Sequence, residues 1–246
     1  MTHKQACITI VSASRTQEPE FWAETALGQS IKRFRTFQTF RPLQEKDLAI
    51  RFRPVIQFAN RDGLGIVYNK VIDAKTERYL DANEIFLFVH DDVWLDDAQL
   101  GEHLIEGLQY FDVIGVAGST QRIPGQPSWS FRDTDFTPNV DTMSGMIGHG
   151  TQPCGRLSYF GPWRQKCELL DGVLLATRAS TLRRSGVRFD PLFEFHFYDL
   201  DFCRTARCGG LTLGTWPIAI THQGAGNYND DNWLPSYAKY VNKWGS

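Results

Sequence analysis

The sequence predicts an α/β fold, a Rossmann-like mixed sheet with helices on both faces in a single domain. Three observations predict it. The first is the run Glu84-Ile85-Phe86-Leu87-Phe88-Val89-His90-Asp91-Asp92-Val93-Trp94-Leu95. Its five consecutive apolar residues, Ile85 to Val89, are too few for an ordinary helix and read as a central strand buried on both faces. The second is the alternation of strand-like and helix-like segments from Cys7 to Gly118, the pattern of parallel crossovers. The third is length. The 246 residues suffice for one sizeable α/β core and are few for two complete domains, so 1–246 reads as one domain with segments at about 6–118, 119–164, 165–224 and 225–246.

Cys7 to Ser14 (CITIVSAS) reads as the first strand, entered directly from Met1-Thr2-His3-Lys4-Gln5. Pro19 then opens a helical pattern through Trp22, Ala26, Ile31 and Phe34. Val55 to Ala59 forms the second strand and Asn60-Arg61-Asp62-Gly63 a turn, after which Leu64, Val67, Tyr68, Val71 and Ile72 recur at helical spacing. Behind the central strand, Asp96 or Asp97 caps a helix carrying Leu100, Leu104, Ile105, Leu108 and Phe111, and Asp112 to Gly118 (DVIGVAG) extends the sheet. From Ser119 to about Arg164, Gly, Pro, Ser and aromatics dissolve the pattern, which predicts a mobile cover loop; a disordered insertion is the plainer alternative. Glu168 to Thr177 resumes as an apolar strand interrupted by Asp171-Gly172. Ser180 caps a short helix ending at Gly186, and Tyr198-Asp199-Leu200-Asp201 opens another that ends at Gly209 or Gly210. Short strands flank Pro217 and lead to His222, and Ser236 to Trp244 reads as a helix.

Composition excludes several function classes. Net charge is −2 with scattered basic residues, so the dense positive field that nucleic-acid binding needs is missing. No apolar run reaches the length of a membrane span and the N-terminus does not read as a signal peptide, which predicts a cytoplasmic protein. Five cysteines without a CxxC pair argue against a disulfide framework and a structural zinc site. The central strand ends in an imidazole and two carboxylates, groups that are costly near a core unless paired or coordinating. In an open α/β sheet that end is where ligands bind, so His90-Asp91-Asp92 reads as an oxygen-rich site for a divalent cation, with helix capping as the bland alternative.

Taken in order, Asn60-x-x-Gly63-Leu64 with Asn69, FLFVHDDVWL, LLDGVLLATR, FDPLFEFHFYDLDFCRTARCGG and PIAITHQG resemble the GT-A-fold family-2 glycosyltransferases, closest to a small bacterial branch linked to capsule and other surface polysaccharides. The likeness covers most of 6–224, omitting 119–164 and the tail. It implies a nucleotide-binding half at about 6–118 and an acceptor half at about 165–224. It puts the family's DxD motif on His90-Asp91-Asp92, so that Asp92 holds the metal, Mn²⁺ or Mg²⁺, with His222 completing the site. Ser12, Ser14, Arg15, Asn60, Asn69, His90 and Asp91 then frame the nucleotide. Asp171, Gly172 and Tyr198 fall on the acceptor side, and Asp199 inherits the role of general base. The implied partners are a nucleotide-diphosphate sugar, most commonly a UDP-sugar, and a saccharide or lipid-linked acceptor, which leaves room for peripheral contact at the inner membrane face. His90 and Tyr198 depart from acidic family positions, and these departures keep open a non-catalytic sugar-nucleotide binder on the same fold.

Physical chemistry agrees with that assignment. Expelling a nucleoside diphosphate builds negative charge that a hard cation neutralises, and a carboxylate within reach of a sugar hydroxyl takes its proton as the bond forms. One-step attack from the opposite face inverts the anomeric centre. Aspartate-based phosphoryl transfer would want its acid at the end of the first strand, where Ser12-Ala13-Ser14 stand, and a sugar-nucleotide pyrophosphorylase a Gly-rich loop that VSASRTQEPE lacks.

Overall fold

The computed structural model describes residues 6–40, 50–76, 84–224 and 230–245, with side chains described except at 35–40 and 75–76. The leading residues 1–5 and the stretch 225–229 after the PIAITHQG motif lie outside the described residues. Strand β1 (Ala6–Ala13) precedes helices α1 (Glu18–Glu24) and α2 (Ala26–Phe40), and β2 (Ile50–Gln57) precedes α3 (Leu64–Thr76). The central run is β3 (Ile85–Val89), wholly buried, followed by β4 (Val93–Leu95) and α4 (Leu100–Tyr110). Then come β5 (Val113–Gly115), β6 (Ala117–Ser119), β7 (Met143–His149), β8 (Arg156–Gly161), β9 (Lys166–Cys167), β10 (Leu169–Leu170) and β11 (Leu174–Arg178). Helices α5 (Ala179–Ser185) and α6 (Tyr198–Cys208), strands β12 (Leu213–Thr215) and β13 (Ile220–His222), and α7 (Trp233–Trp244) complete the chain.

The α/β class, with a mixed sheet covered on both faces, is what the structure shows. A seven-stranded sheet runs β2-β1-β3-β11-β5-β12-β9, with β1 parallel to β2 and β3, and β11 antiparallel to β3 and β5. Register assigns the faces. Ile8, Ile10, Ile85 and Leu87 share one, and α4 packs there, with Gly101 against Ile8 and Gly107 against Ile114. Phe86 and Phe88 share the other, where Tyr68 of α3 and Phe189 pack on Phe88 with ring centroids 4.8 and 5.2 Å away. The helical pattern from Pro19 divides at Thr25, whose backbone is extended, and α5 begins on Arg178 without a side-chain cap instead of on Ser180. Neither acid before α4 caps it: the helix starts on Gln99 without a side-chain cap, Asp97 closes the preceding turn by accepting the Gln99 amide at 2.8 Å, and Asp96 ties Thr221 Oγ1 (2.6 Å) to the Cys154 amide (3.0 Å).

Two expectations are corrected. DVIGVAG does not extend one sheet: it divides at Val116, β5 staying in the first sheet and β6 entering a second, β10-β6-β7-β13-β4 with β8 on β7. The expected cover loop 119–164 supplies β7 and β8, a hairpin at the heart of that second sheet. Three of its glycines, Gly145, Gly148 and Gly161, mislead because they are strand glycines. Gly145 has φ +99° at a register shift, and a Cβ there would lie 2.0 Å from the Val116 carbonyl, so only glycine lets β7 cross the dividing point. One continuous apolar cluster spans both sheets.

Helix α7 braces the segment ahead of α6. Phe197 holds a left-handed backbone (φ +65°), unfavourable for a side chain of its size, and its ring is enclosed by Trp233, Tyr237 and Tyr240 at 5.3–5.7 Å. Asp201 is structural: fully buried, it accepts from Trp244 Nε1 at 2.7 Å and pairs with Lys243 Nζ at 2.6 Å. Lys243→Met strands that carboxylate away from water and is expected to cost about 3 kcal/mol. Asp201→Asn, which keeps an acceptor for Trp244, should cost clearly less; urea unfolding of the two variants checks the order.

Candidate functional site

The site gathers where β3 ends. After Val89 the chain leaves the core, and His90, Asp91 and Asp92 are half-buried at the rim. Strand β13 runs antiparallel to β4 and sets His222 beside Asp92, with Nε2 3.2 Å from Oδ2. The pair shifts both groups. Burial alone would raise the Asp92 carboxyl, but the hydrogen bond and charge of His222 outweigh it and hold it low; burial would lower His222, and Asp92 outweighs that to hold it high. His90, Asp92 and His222 each present a ligand atom within 4.8 Å of the others.

Three details fit that trio to a cation. Asp92 Oδ1 is buried with no hydrogen-bond partner, and an orphaned carboxylate oxygen is costly unless something binds it. Gly224 leaves room over the pair, since a Cβ there would stand 2.9 Å from His222 Nε2 and 3.0 Å from Asp92 Oδ2. Tyr198 Oη donates to the Gly172 carbonyl at 2.8 Å and so only accepts from His90 Nε2, also 2.8 Å away. His90 is thereby fixed as the Nε2–H tautomer, with the Nδ1 lone pair left for a ligand, and burial holds it neutral. Two imidazoles and one carboxylate suit Mn²⁺ and its transition-metal neighbours better than Mg²⁺.

Opposite stand the two acids of the other half. Asp171 Oδ2 accepts from Trp129 Nε1 (2.7 Å) and Oδ1 from the Val173 amide (2.8 Å). Asp199, in the first turn of α6, accepts from the Gly172 amide on Oδ2 and from the Leu200 amide on Oδ1, each at 2.9 Å. Burial, and then the charge of Asp171, pushes the Asp199 carboxyl up to about 7, against those amide bonds. Asp171 is also felt electrostatically by His90, His149 and His222, which puts it in the neighbourhood of the imidazoles.

The remaining predicted residues divide. Burial raises the Asp91 carboxyl and the neighbouring Ser14 opposes that rise, so the ends of β1 and β3 come together at the site, while the Ser14 hydroxyl itself pairs with Thr16 Oγ1 at 2.8 Å. Ser12 is fully buried and its Oγ has no partner, while Arg15 is exposed at the end of β1. Asn60 closes its own turn through Asp62, with Nδ2 donating to the Asp62 carbonyl at 2.7 Å. Asn69 departs most from the expected role. Both ends of its amide bind the Phe189 backbone, at 2.7 and 3.1 Å, so it fastens α3 to the 189 turn and does not join the cluster. Tyr198 is buried and its hydroxyl is committed inside the protein, which makes it a support for His90 and not a surface offered to an acceptor.

Sequence reasoning passed over three residues. Trp129, 42 positions from Asp171, had no local signal. Phe195 is 46% exposed with its ring stacked on His90 at 6.0 Å, an open aromatic face beside the cluster. His149 pairs in register with His222; its place inside a supposed loop concealed it.

No protein-family model and no curated protein sequence matches the chain. Among solved structures it is similar to a crystal structure of GalNAc-T7 with UDP, GalNAc and Mn²⁺, at 10% identity and a TM-score of 0.48, over 99% of this chain and 49% of that one. It is also similar to the catalytic domain of Drosophila beta1,4galactosyltransferase 7 in complex with xylobiose (9% identity, 95% and 79% of the two chains, TM-score 0.44). A third is S. aureus TarS (9% identity, 89% and 37%, TM-score 0.43). The chain spans about half the length of the first of these and just over a third of the last. What the site can do follows from its own residues.

Two measurements probe this geometry. Asp199 keeps a proton in the folded state between about pH 4 and 7 that the unfolded chain has released, so it favours folding below about pH 4 and that contribution is lost as pH rises through 7. Asp199→Asn should therefore lose less stability than the unchanged protein when urea unfolding is compared at pH 5 and pH 7.5. In Gly172→Ala the new Cβ would lie 2.3 Å from Tyr198 Oη, and breaking that contact is expected to cost about 2 kcal/mol in the same assay.

Proposed function

We propose that the chain is a metal-dependent glycosyltransferase of the GT-A kind, moving a sugar from a nucleotide-diphosphate sugar to a hydroxyl of a saccharide or lipid-linked acceptor with inversion. One observation carries this reading: a cation-fit trio, His90, Asp92 and His222, is linked through the Tyr198 hydroxyl and Gly172 to a carboxylate, Asp199, whose proton affinity is raised to about 7. The sequence resemblance supports it at the same residues. Bound on the trio, Mn²⁺ would supply positive charge where a departing diphosphate gathers negative charge.

The chain's own groups do the rest. Asp199 accepts the Gly172 amide on Oδ2 and the Leu200 amide on Oδ1, and each oxygen keeps a further lone pair for the acceptor hydroxyl. As the acceptor oxygen bonds to the anomeric carbon and the bond to the diphosphate oxygen breaks, the hydroxyl proton passes to Asp199. A base with proton affinity near neutrality suits that transfer. Asp171 keeps Asp199 raised by its charge while its own carboxylate is held by Trp129 and Val173. The exposed ring of Phe195 offers a flat apolar surface for a sugar face.

Calorimetry with UDP tests the reading. Binding is expected with Mn²⁺ present, lost with EDTA, and lost in Asp92→Asn. Asp199→Asn should bind UDP and Mn²⁺ as the unchanged protein does, while sugar transfer falls ~10²–10⁴-fold. Equal UDP affinity with and without metal would remove the metal assignment. Metal-dependent binding without turnover on a panel of donors and acceptors would leave a sugar-nucleotide binding protein in its place.

A further inference from the structure

His222, His149 and Arg156 form a row across three adjacent strands. His222 on β13 is in register with His149 on β7, and His149 with Arg156 on β8. Residues in register share a face of the sheet, and neighbouring strands lie about 4.8 Å apart, so Arg156 starts roughly 10 Å from His222 on the face that bears the cation-fit trio. Among the described residues strand β8 pairs only with β7, and Arg156 is exposed at the rim, with a side chain long enough to lean back over His149.

Neither the Arg156 guanidinium nor the His149 ring has a hydrogen-bond or ion-pair partner among the described residues. Three other basic groups are engaged: His222 by Asp92, His103 by Asp97, and Arg164 by Glu106 and the Trp216 ring. The one carboxylate electrostatically coupled to His149, Asp171, has its oxygens committed to Trp129 and Val173. A half-buried imidazole and a free guanidinium beside a cation-fit cluster leave donors facing outward with no protein acceptor, the arrangement that suits a compact, many-oxygened anion.

We infer that Arg156 and His149 form an anion subsite continuous with the His90–Asp92–His222 cluster, and that it takes phosphate oxygens of a nucleoside diphosphate. This rests on the glycosyltransferase reading and deepens it: charge on the departing diphosphate is shared between the cluster and a guanidinium fork, which matches phosphate geometry in a way a lysine does not. A charged residue on an edge strand also discourages edge-to-edge pairing. That duty alone would explain Arg156 but not His149, and it makes a different prediction.

Calorimetry with Mn²⁺-loaded protein separates the two, using UDP, uridine and Mn²⁺ alone as probes. Arg156→Gln is expected to weaken UDP at least about tenfold and His149→Asn about threefold, with uridine and Mn²⁺ affinities unchanged in both. Arg156→Lys should recover part of the loss, and Arg183→Gln, on α5, should bind UDP normally. Circular dichroism confirms that each variant is folded. If the unchanged protein binds UDP with Mn²⁺ but Arg156→Gln and His149→Asn bind it equally well, the subsite is overturned and the proposed function stands. Aggregation of Arg156→Gln at full UDP affinity likewise overturns the subsite and assigns the arginine to edge protection. No Mn²⁺-dependent UDP binding by the unchanged protein overturns both.

Discussion

The Tyr198 hydroxyl is the point on which the site depends. By donating to the Gly172 carbonyl and accepting from His90 Nε2, it connects the end of β3, the entry to β11 and the first turn of α6 in two hydrogen bonds of 2.8 Å each. Its donor is spent on Gly172, so His90 must carry its proton on Nε2, and the lone pair on Nδ1 is left for a ligand. The same contact requires that residue 172 have no side chain and brings the Gly172 amide to Asp199. A tyrosine where the resemblance implies an acid therefore still shapes the site, through the histidine and the glycine on either side of it.

Two surfaces of opposite character result. Along one side run the imidazoles, fixed by β13 and β7 in register and by the tyrosine. Along the other stand Asp171 and Asp199, one anchored by an indole and the other raised by burial and by its neighbour. Under the proposed function, a cation with imidazole and guanidinium would meet developing negative charge on the first side, and a carboxylate with proton affinity near neutrality would meet a hydroxyl proton on the second. The division of labour is electrostatic, and it comes from strand register more than from local sequence.

The tail explains how the acidic side keeps its shape. Phe197 in a left-handed conformation would relax if left to itself; Trp233, Tyr237 and Tyr240 surround it, and His196 pairs with Asp230 at 2.9 Å. Tyr237 Oη also donates to the Gly125 carbonyl at 2.5 Å, so α7 grips the loop that carries Trp129 as well. One helix thus steadies both supports of the Asp171–Asp199 pair, with burial of aromatic rings as the driving term.

Where local pattern carries the information, the sequence alone was enough. The period of apolar residues determined β1, β3, α3, α4 and α7, and the ending of a buried strand in His90-Asp91-Asp92 determined where charge had to collect. Register and long-range pairing were decided only in three dimensions. Gly145 looks like a loop residue until Val116 is set against it, and His149 looks incidental until β7 lies beside β13. Asn69 resembles a ligand contact until Phe189, 120 positions away, takes both ends of its amide, and Trp129 is one of seven tryptophans until its indole meets Asp171. The physical reason is the same in each case: a hydrogen bond or a missing Cβ acts across space, and neither leaves a period in the chain that makes it.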